Sequence, residues 1–357
     1  MRIADLDQYF TDLGALPIHR GRVLRAWLKG QALDAGTRRQ KSENFLPLTL
    51  RNGLPQLTTQ LDALARIASE HEGSDGSRLL VELADKQMVE SVLLPRDGLC
   101  VSTQIGCAVG CRFCMTGKSG LIRQVTSLEI IAQFVQARRL RPVKKVVFMG
   151  MGEPAHNLDN VLEAIDLLGT EGGINHKQLV FSTVGDRRVF EVLPQQPVKP
   201  ALAISLHTTK ADLREQLLPR APKIPPEELI ALGEEYARKT GYPIQYQWTL
   251  LHGINDGNDE LDAVLSLLKG KYGVLNIIPF NSLEGTGLED DDYRRPDLER
   301  IREIVKYVHS RGVLTKVRNS AGQDVDGGCG QLRARAMGAA EIVDMRRKRT
   351  QPERREP

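Results

Sequence analysis

The chain has 357 residues, 41% of them hydrophobic and 26% charged, with a formal net charge of +4. That is enough apolar material for one large core and a smaller unit, and no apolar run approaches the ~20 residues needed to span a bilayer. The opening Met1-Arg-Ile-Ala-Asp-Leu-Asp7 lacks the basic and then apolar regions of a secretory leader, so a cytoplasmic protein with reduced thiols and no membrane partner is expected.

In chain order, residues from about Ile3 to Pro55 read as helical, with Leu6, Tyr9, Phe10 and Leu13 on one stripe and Val23, Leu24, Trp27 and Leu28 on another. Short strands follow near Ala63–Ala68, Ser77–Leu83 and Gln87–Leu94, separated by turn signals such as Gly73-Ser-Asp-Gly76. From Cys100 onward strands alternate with helices. The strand candidates are Cys100–Ile105, Lys145–Met149, Gln178–Ser182, Ala201–Leu206, Ile244–Leu250, Val274–Ile278 and Leu314–Arg318. Helical patterns at Ser127–Arg139, Leu158–Leu168, Pro226–Lys239, Asn258–Leu268 and Asp297–Arg311 lie between them. Repeated strand–helix units predict an α/β fold with a parallel sheet curled into a partial or full barrel. We expect an N-terminal accessory unit over 1–95, helical and then β, a barrel domain over 96–335, and a basic tail over 336–357 that is partly disordered.

Basic residues are unevenly placed. Arg20, Arg22, Arg25 and Lys29 lie along the N-terminal helical stretch, and Arg138, Arg139, Arg141, Lys144 and Lys145 fall between a helix and a strand. Such blocks can contact phosphates, although a solvated helix face has the same composition.

Cysteine usage carries most of the chemistry. Cys100, Cys107, Cys111 and Cys114 crowd together, while Cys329 stands alone in Asp326-Gly-Gly-Cys-Gly-Gln331. Closed structural zinc wants four Cys or His ligands in paired spacings, and none are present. A disulfide framework does not suit a long chain with an odd cysteine count. An iron–sulfur cluster on Cys107, Cys111 and Cys114 fits better, because three thiolates leave one iron open to a ligand. In a barrel the site is built by loops after the strands. The triplet, Gly150-Met-Gly-Glu-Pro154, Ser182-Thr-Val-Gly185, Ser205-Leu-His207 and Pro279-Phe-Asn281 all fall there.

The triplet, with Phe113 before its last cysteine, is similar to the CxxxCxΦC signature of radical S-adenosylmethionine (SAM) enzymes. More narrowly, the chain resembles the RlmN/Cfr family of radical SAM RNA adenine methyltransferases over residues 5 to 345. The likeness is carried by Leu99–Cys107, Gly150–Pro154, Leu202–His207, Gly253-Ile-Asn-Asp-Gly257, Ile277–Asn281 and Asp326–Leu332, with the pairing of Cys100 and Cys329 singling out the family.

That resemblance implies a radical SAM partial (β/α) barrel, a 4Fe-4S cluster on Cys107, Cys111 and Cys114, and SAM held by Gly152, Glu153, Ser182, Ser205, Leu206, His207 and Asn281. Glycines at 150 and 152 would let backbone approach the ligand closely. An adenine ring carbon is a poor nucleophile, so simple polar methyl transfer is blocked and radical chemistry is required. The resemblance implies that Cys329 carries the methyl group, that Cys100 resolves the protein–RNA adduct through a disulfide with Cys329, and that Glu90 is a general base. It also implies structured ribosomal or transfer RNA as substrate, C2 favoured over C8, an external electron donor such as flavodoxin or ferredoxin, and a monomer.

Other readings stay open from the residues alone. Cys100 could be a buried structural thiol, Glu90 a glutamate on a solvated face, and His207 a rim histidine oriented by a backbone carbonyl. The whole could be a radical SAM enzyme for another substrate, or a metal-stiffened RNA-binding protein without turnover. Departures from the family pattern at Met115 and Thr116, after His207 and after Asn281 bear on substrate rather than on reaction.

Overall fold

Ten strands form one continuous sheet. The computed structural model describes residues 2–36, 41–118, 120–281 and 293–332; the tail beyond 335 and the stretch that follows Asn281 lie outside them. The accessory strands are β1 (Ala65–Glu72), β2 (Ser77–Leu83) and β3 (Met88–Leu94), all antiparallel. β4 (Gly98–Val101) pairs antiparallel with β3 on one side and parallel with β7 (Lys145–Phe148) on the other. Between them in sequence, β5 (Gln104–Gly106) and β6 (Leu121–Gln124) make a separate two-stranded ribbon. The parallel series then runs in chain order through β8 (Leu179–Thr183), β9 (Ala201–Ser205), β10 (Ile244–Leu250), β11 (Gly273–Pro279) and β12 (Thr315–Val317). The sheet is open between β1 and β12, which agrees with a partial barrel.

The expected strand Cys100–Ile105 is two elements. The ladder breaks at Ser102-Thr103 because their polar groups are taken by other partners. Ser102 Oγ donates to the Glu90 carbonyl, Ser102 N–H donates to Gln133 Oε1, and Thr103 N–H donates to the Met151 carbonyl. The chain then leaves the sheet and carries the first cysteines over the end of the barrel.

Local signals explain the helices that cover the sheet. Helix Ser127–Leu140 starts at a capping box in which Glu129 N–H donates to Thr126 Oγ1 and Thr126 N–H donates to Glu129 Oε2. It buries Ile130, Ile131, Phe134 and Val135, each contributing about 1.5–3 kcal/mol from removal of apolar surface. Helix Pro226–Thr240 ends on Gly241, whose left-handed backbone closes the turn. In the N-terminal helices Ile3–Asp12 and Pro17–Leu28, Leu6, Phe10, Val23, Leu24, Trp27 and Leu28 are all buried. These residues belong to the same apolar cluster as Leu99, Val147 and Ile204, so the core runs through residue 95 without a gap.

Most of the basic residues singled out above have intramolecular partners. Arg20 pairs with Asp7, Arg25 with Glu171, Arg139 with Asp62 and Lys144 with Asp97. Arg138 and Arg141 donate to backbone carbonyls, and Arg22 lies over the Phe45 ring.

Candidate active site

The barrel encloses a cavity of about 1100 Å³. Cys107, Cys111, Cys114, Cys100, Cys329, Gly152, Glu153, Ser182, Ser205, His207 and Asn281 all line it. Two of the predicted site residues do not. Leu206 is fully buried beside the wall, with its N–H donated to the Gln247 carbonyl. Glu90 also stands off the wall, yet it is far from a solvated face, being fully buried and ion-paired with Arg78.

The cysteine triplet rides on a loop held by its own backbone. Cys107 N–H donates to the Gly120 carbonyl, Arg112 N–H to the Leu217 carbonyl and Cys114 N–H to the Cys111 carbonyl. Gly117 packs so closely that a Cβ there would lie 2.8 Å from Gly110 Cα and 3.1 Å from Cys111 N. Burial pushes the Cys107 thiol up to about 12, and the neighbouring Cys114 adds to the effect. Cys111 is pushed up by burial and then by both other thiols, so the three are mutually close. Among the described residues no three His, Cys, Asp or Glu side chains converge to hold a single ion. A four-iron cluster spreads its cysteines over separate irons, and three thiols lining one cavity fit that donor set.

Gly150 and Gly152 make close approaches, but to the chain itself. A Cβ on Gly150 would sit 2.7 Å from the Val101 carbonyl oxygen, and one on Gly152, at φ +106°, would sit 2.6 Å from Gln104 Cβ. Both glycines also line the cavity, so this packing stands beside the expected approach of backbone to a ligand. They lock the Gly-Glu-Pro loop onto the β4–β5 corner, and Gln104 Oε1 completes the lock by accepting from Glu153 N–H. Glu153 accepts from Val184 N–H at 3.0 Å and Ala155 N–H at 3.1 Å. Burial nevertheless raises its pKa to about 7, outweighing the hydrogen bonds that favour the carboxylate.

His207 is oriented by a donor rather than by the expected carbonyl. Thr249 N–H donates to its Nδ1 at 2.9 Å, so the ring is neutral with its proton on Nε2, edge-on to Phe113. Burial first, and then Arg214, lower its pKa to about 3. The φ of +62° at His207 is sustained by Asn255, whose amide donates to the His207 and Thr249 carbonyls. The Gly253–Gly257 motif thus buttresses the site from behind. Thr208 and Thr209, where the chain departs from the family pattern, both donate to Glu260.

Cys329 is delivered by a loop from Ser320 to Leu332 that is tied by side chains. Asn281 Nδ2 donates to the Cys329 carbonyl at 2.9 Å, and Gly328 N–H donates to Gln331 Oε1. The Asn281 Oδ1 atom is buried without a partner among the described residues, which leaves an acceptor for a ligand. Met115 N–H and Thr116 Oγ1 donate to the Gly330 and Leu332 carbonyls, so the departures at 115 and 116 secure this loop. The β1–β2 turn clasps it reciprocally. Asp324 Oδ2 accepts from Ser74 N–H and Asp75 Oδ1 accepts from Gly322 N–H, each at 2.8 Å.

Sheet register places Cys100 beneath that loop. Arg78, Val92 and Cys100 form one row across β2, β3 and β4, and a Cβ on Gly327 would touch Arg78 Cβ and Val92 Cγ1 at 3.4 and 3.6 Å. Burial pushes the Cys100 thiol up to about 12, Cys329 adds to this, and Arg318 opposes it. All five cysteines are free, so the Cys100–Cys329 disulfide implied by the resemblance is not formed in this structure.

Sequence reasoning missed Arg214. It is buried, donates to the Val184 and Ser205 carbonyls, and faces Cys111 and Glu153 closely enough to feel both charges. Its position in the short helix Ala211–Leu217 carries no motif that would have flagged it.

Three cysteines and a Gly-Glu-Pro loop on the rim of an open parallel barrel define a radical SAM enzyme. The model of the radical SAM superfamily matches residues 101–268, a span that includes the triplet and excludes both Cys100 and Cys329. A probable RNA methyltransferase of Bordetella avium is 78% identical over 97% of each chain, and one of Pseudomonas aeruginosa is 71% identical over 96% of this chain and 98% of its own. The crystal structure of a radical SAM methyltransferase from Sphaerobacter thermophilus superposes with a TM-score of 0.80 at 31% identity, covering 94% of this chain and 98% of that one. The chain belongs to this family of radical SAM methyltransferases, and its cofactors are a 4Fe-4S cluster and SAM.

Proposed function

We propose that this enzyme methylates a ring carbon of adenosine, C2 rather than C8, in ribosomal or transfer RNA, with Cys329 as methyl carrier and Cys100 as resolving thiol. The observation that carries this reading is the stacking of the Cys329 loop over Cys100 at the wall of the cavity that the cysteine triplet also lines. The names borne by the Bordetella and Pseudomonas relatives favour RNA as the substrate.

When bound, the cluster and SAM supply methyl groups and a one-electron route to a carbon radical. The protein's own part is to hold and to move protons. Glu153 offers a buried carboxylate to an ammonium group, Asn281 Oδ1 offers an unpaired acceptor, and Ser182 and Ser205 offer hydroxyls from the strand ends. Cys329 accepts and presents the methyl group, and Cys100 attacks its sulfur to release the product. Glu90, held by Arg78 beneath the loop, is assigned as the base that takes the ring proton. RNA contact by residues 1–95 is assigned to Arg22 and Lys29, which have no acidic partner among the described residues. The site of action is the cytoplasm, with an external reductant such as flavodoxin or ferredoxin; no helix among the described residues is long and apolar enough to cross a membrane.

Nucleoside mass spectrometry on RNA from cells with and without the gene tests the reading. Gene-dependent 2-methyladenosine is expected. Gain of 8-methyladenosine would move the methyl to the other carbon, and gain of neither would remove adenosine as the substrate.

A further inference from the structure

The interiors of closed (β/α) barrels are packed with bulky branched side chains. This one is hollow, and polar side chains line it among the apolar ones. Gln247 of β10 and Asn276 of β11 line the cavity at the level of Ser205, and Gln245 of β10 and Lys145 of β7 line it further from the cysteine rim. Lys145 starts β7 and lies four residues before Met149, ~13 Å toward the opposite end of the barrel.

Cations run along the cavity from that end toward the rim. Arg96 and Lys145 lie at the far end, Lys316 lies on β12 and Arg318 lies beside Met149 at the rim end of β7, and none has a carboxylate partner among the described residues. The contrast with their neighbours is sharp, since Lys144 pairs with Asp97 one residue away. Burial lowers the Lys145 pKa, and the next causes are Arg318 and Arg96, with no acid among them. Arg318 is fixed in place, its Nη1 lying 3.3 Å from both Gln247 Oε1 and Met149 Sδ. Four like charges gathered without a counter-charge cost free energy, and such a group is stabilised when an anion arrives with a ligand. Phosphate is the anion that Lys and Arg bind together most readily.

We propose that Arg96, Lys145, Lys316 and Arg318 form a phosphate site that holds the backbone of the RNA strand whose adenosine reaches Cys329. The inference rests on the function proposed above. A strand is favoured over a small free anion because Arg96 and Lys316 are exposed while Lys145 and Arg318 are half-buried, so the charges run from solvent into the cavity as a track. Lys145 stands ~13 Å from the rim, while Arg318 is near enough to Cys100 to act on it electrostatically, so the track leads toward the thiols, which suits a base drawn out of its stack.

The test uses the full-length, cluster-loaded enzyme and bulk ribosomal and transfer RNA from cells lacking the gene. Lys145→Gln should raise KM for RNA about five- to tenfold and reduce the salt dependence of RNA binding by about one unit of slope. Lys145→Arg should restore both, which rules out a folding defect, as should an unchanged cluster absorbance in Lys145→Gln. Equal KM and slope in wild type and Lys145→Gln would overturn the proposal. If wild type methylates no RNA, the functional reading fails by itself, and titration with inorganic pyrophosphate then decides the site. Binding lost in Lys145→Gln upholds a phosphate site, whereas no binding to wild type overturns it.

Discussion

Two cysteine-bearing loops meet over one cavity, and they are built in opposite ways. The triplet loop from Cys107 to Cys114 is held by backbone hydrogen bonds and by glycines pressed against backbone. The Cys329 loop is held by side chains reaching in from elsewhere, Asp75 from the β1–β2 turn, Asn281 from the end of β11 and Thr116 from beside the triplet. The difference teaches what each must do. Cluster ligands need fixed spacing, and their loop is supported chiefly by backbone, with the Arg220 guanidinium donating to the Ala108 carbonyl as a side-chain addition. In the function proposed above, Cys329 receives a methyl group and then releases a nucleic acid, which needs a support that can let go, and individual side-chain hydrogen bonds to backbone contribute only ~0.5–1.5 kcal/mol each.

The contrast breaks most completely at Gly117. Gly117→Val drives a branched side chain into the Gly110 and Cys111 backbone, so anaerobically prepared protein should be colourless and lack iron. Cys329→Ala should keep the brown colour and full iron content while RNA methylation falls below detection. Its counterpart Cys100→Ala should accumulate RNA joined covalently to Cys329, visible as a band that survives denaturing gels and disappears with ribonuclease. A colourless Cys329→Ala protein would contradict the division of labour between the loops.

A smaller effect sharpens the comparison. Replacing both Asp75 and Asp324 by Ala removes the two clasp bonds, worth together about 1–3 kcal/mol. We expect kcat to fall by about tenfold, since 1.4 kcal/mol is a factor of ten. Amide hydrogen exchange should quicken over residues 320–332 and stay unchanged over 107–114. Faster exchange in both loops would show that they are not independently supported.

The smallest effect concerns acid stability. The His207 pKa is depressed to about 3 in the folded protein, so the folded state binds fewer protons than the unfolded chain once pH drops below ~6.5. The stability this residue contributes is complete above pH ~6.5 and is lost as pH falls toward 3, by about 1.4 kcal/mol per unit. Asn tolerates the positive φ at this position, and His207→Asn should flatten that part of the stability curve in denaturant titrations between pH 7 and 5.

Much of this molecule was legible in its sequence because the signals are local. The apolar runs that became β7 to β11 need only neighbouring residues to be recognised. The cysteine triplet and Gly-Glu-Pro are also contiguous. What could not be read depends on distance along the chain. Asp75 and Gly322 are 247 residues apart and Ser74 and Asp324 are 250 apart, with no pattern to link them. Glu90 reads as a surface glutamate until register sets Arg78 next to it in the adjacent strand. The orientation of His207 turns on Asn255, which becomes its neighbour only after β9 and β10 pair. Sequence also supplied a ligand-facing reason for Gly150 and Gly152, but not their tight contact with β4 and its following corner.

A barrel that stays open exposes two sheet edges, and unguarded edges recruit other chains. Each edge here is made unattractive in its own way. At β12 the strand is three residues long, and the exposed Lys316 sets a charge on it beside the cavity. At β1 the ladder slips between Ile67 and Ser69, and Arg66, Glu70, His71 and Glu72 all face solvent. A short charged edge on one side and a bulged, charged one on the other discourage strand addition at both edges of the open sheet, a protection that a complete barrel would gain from closure.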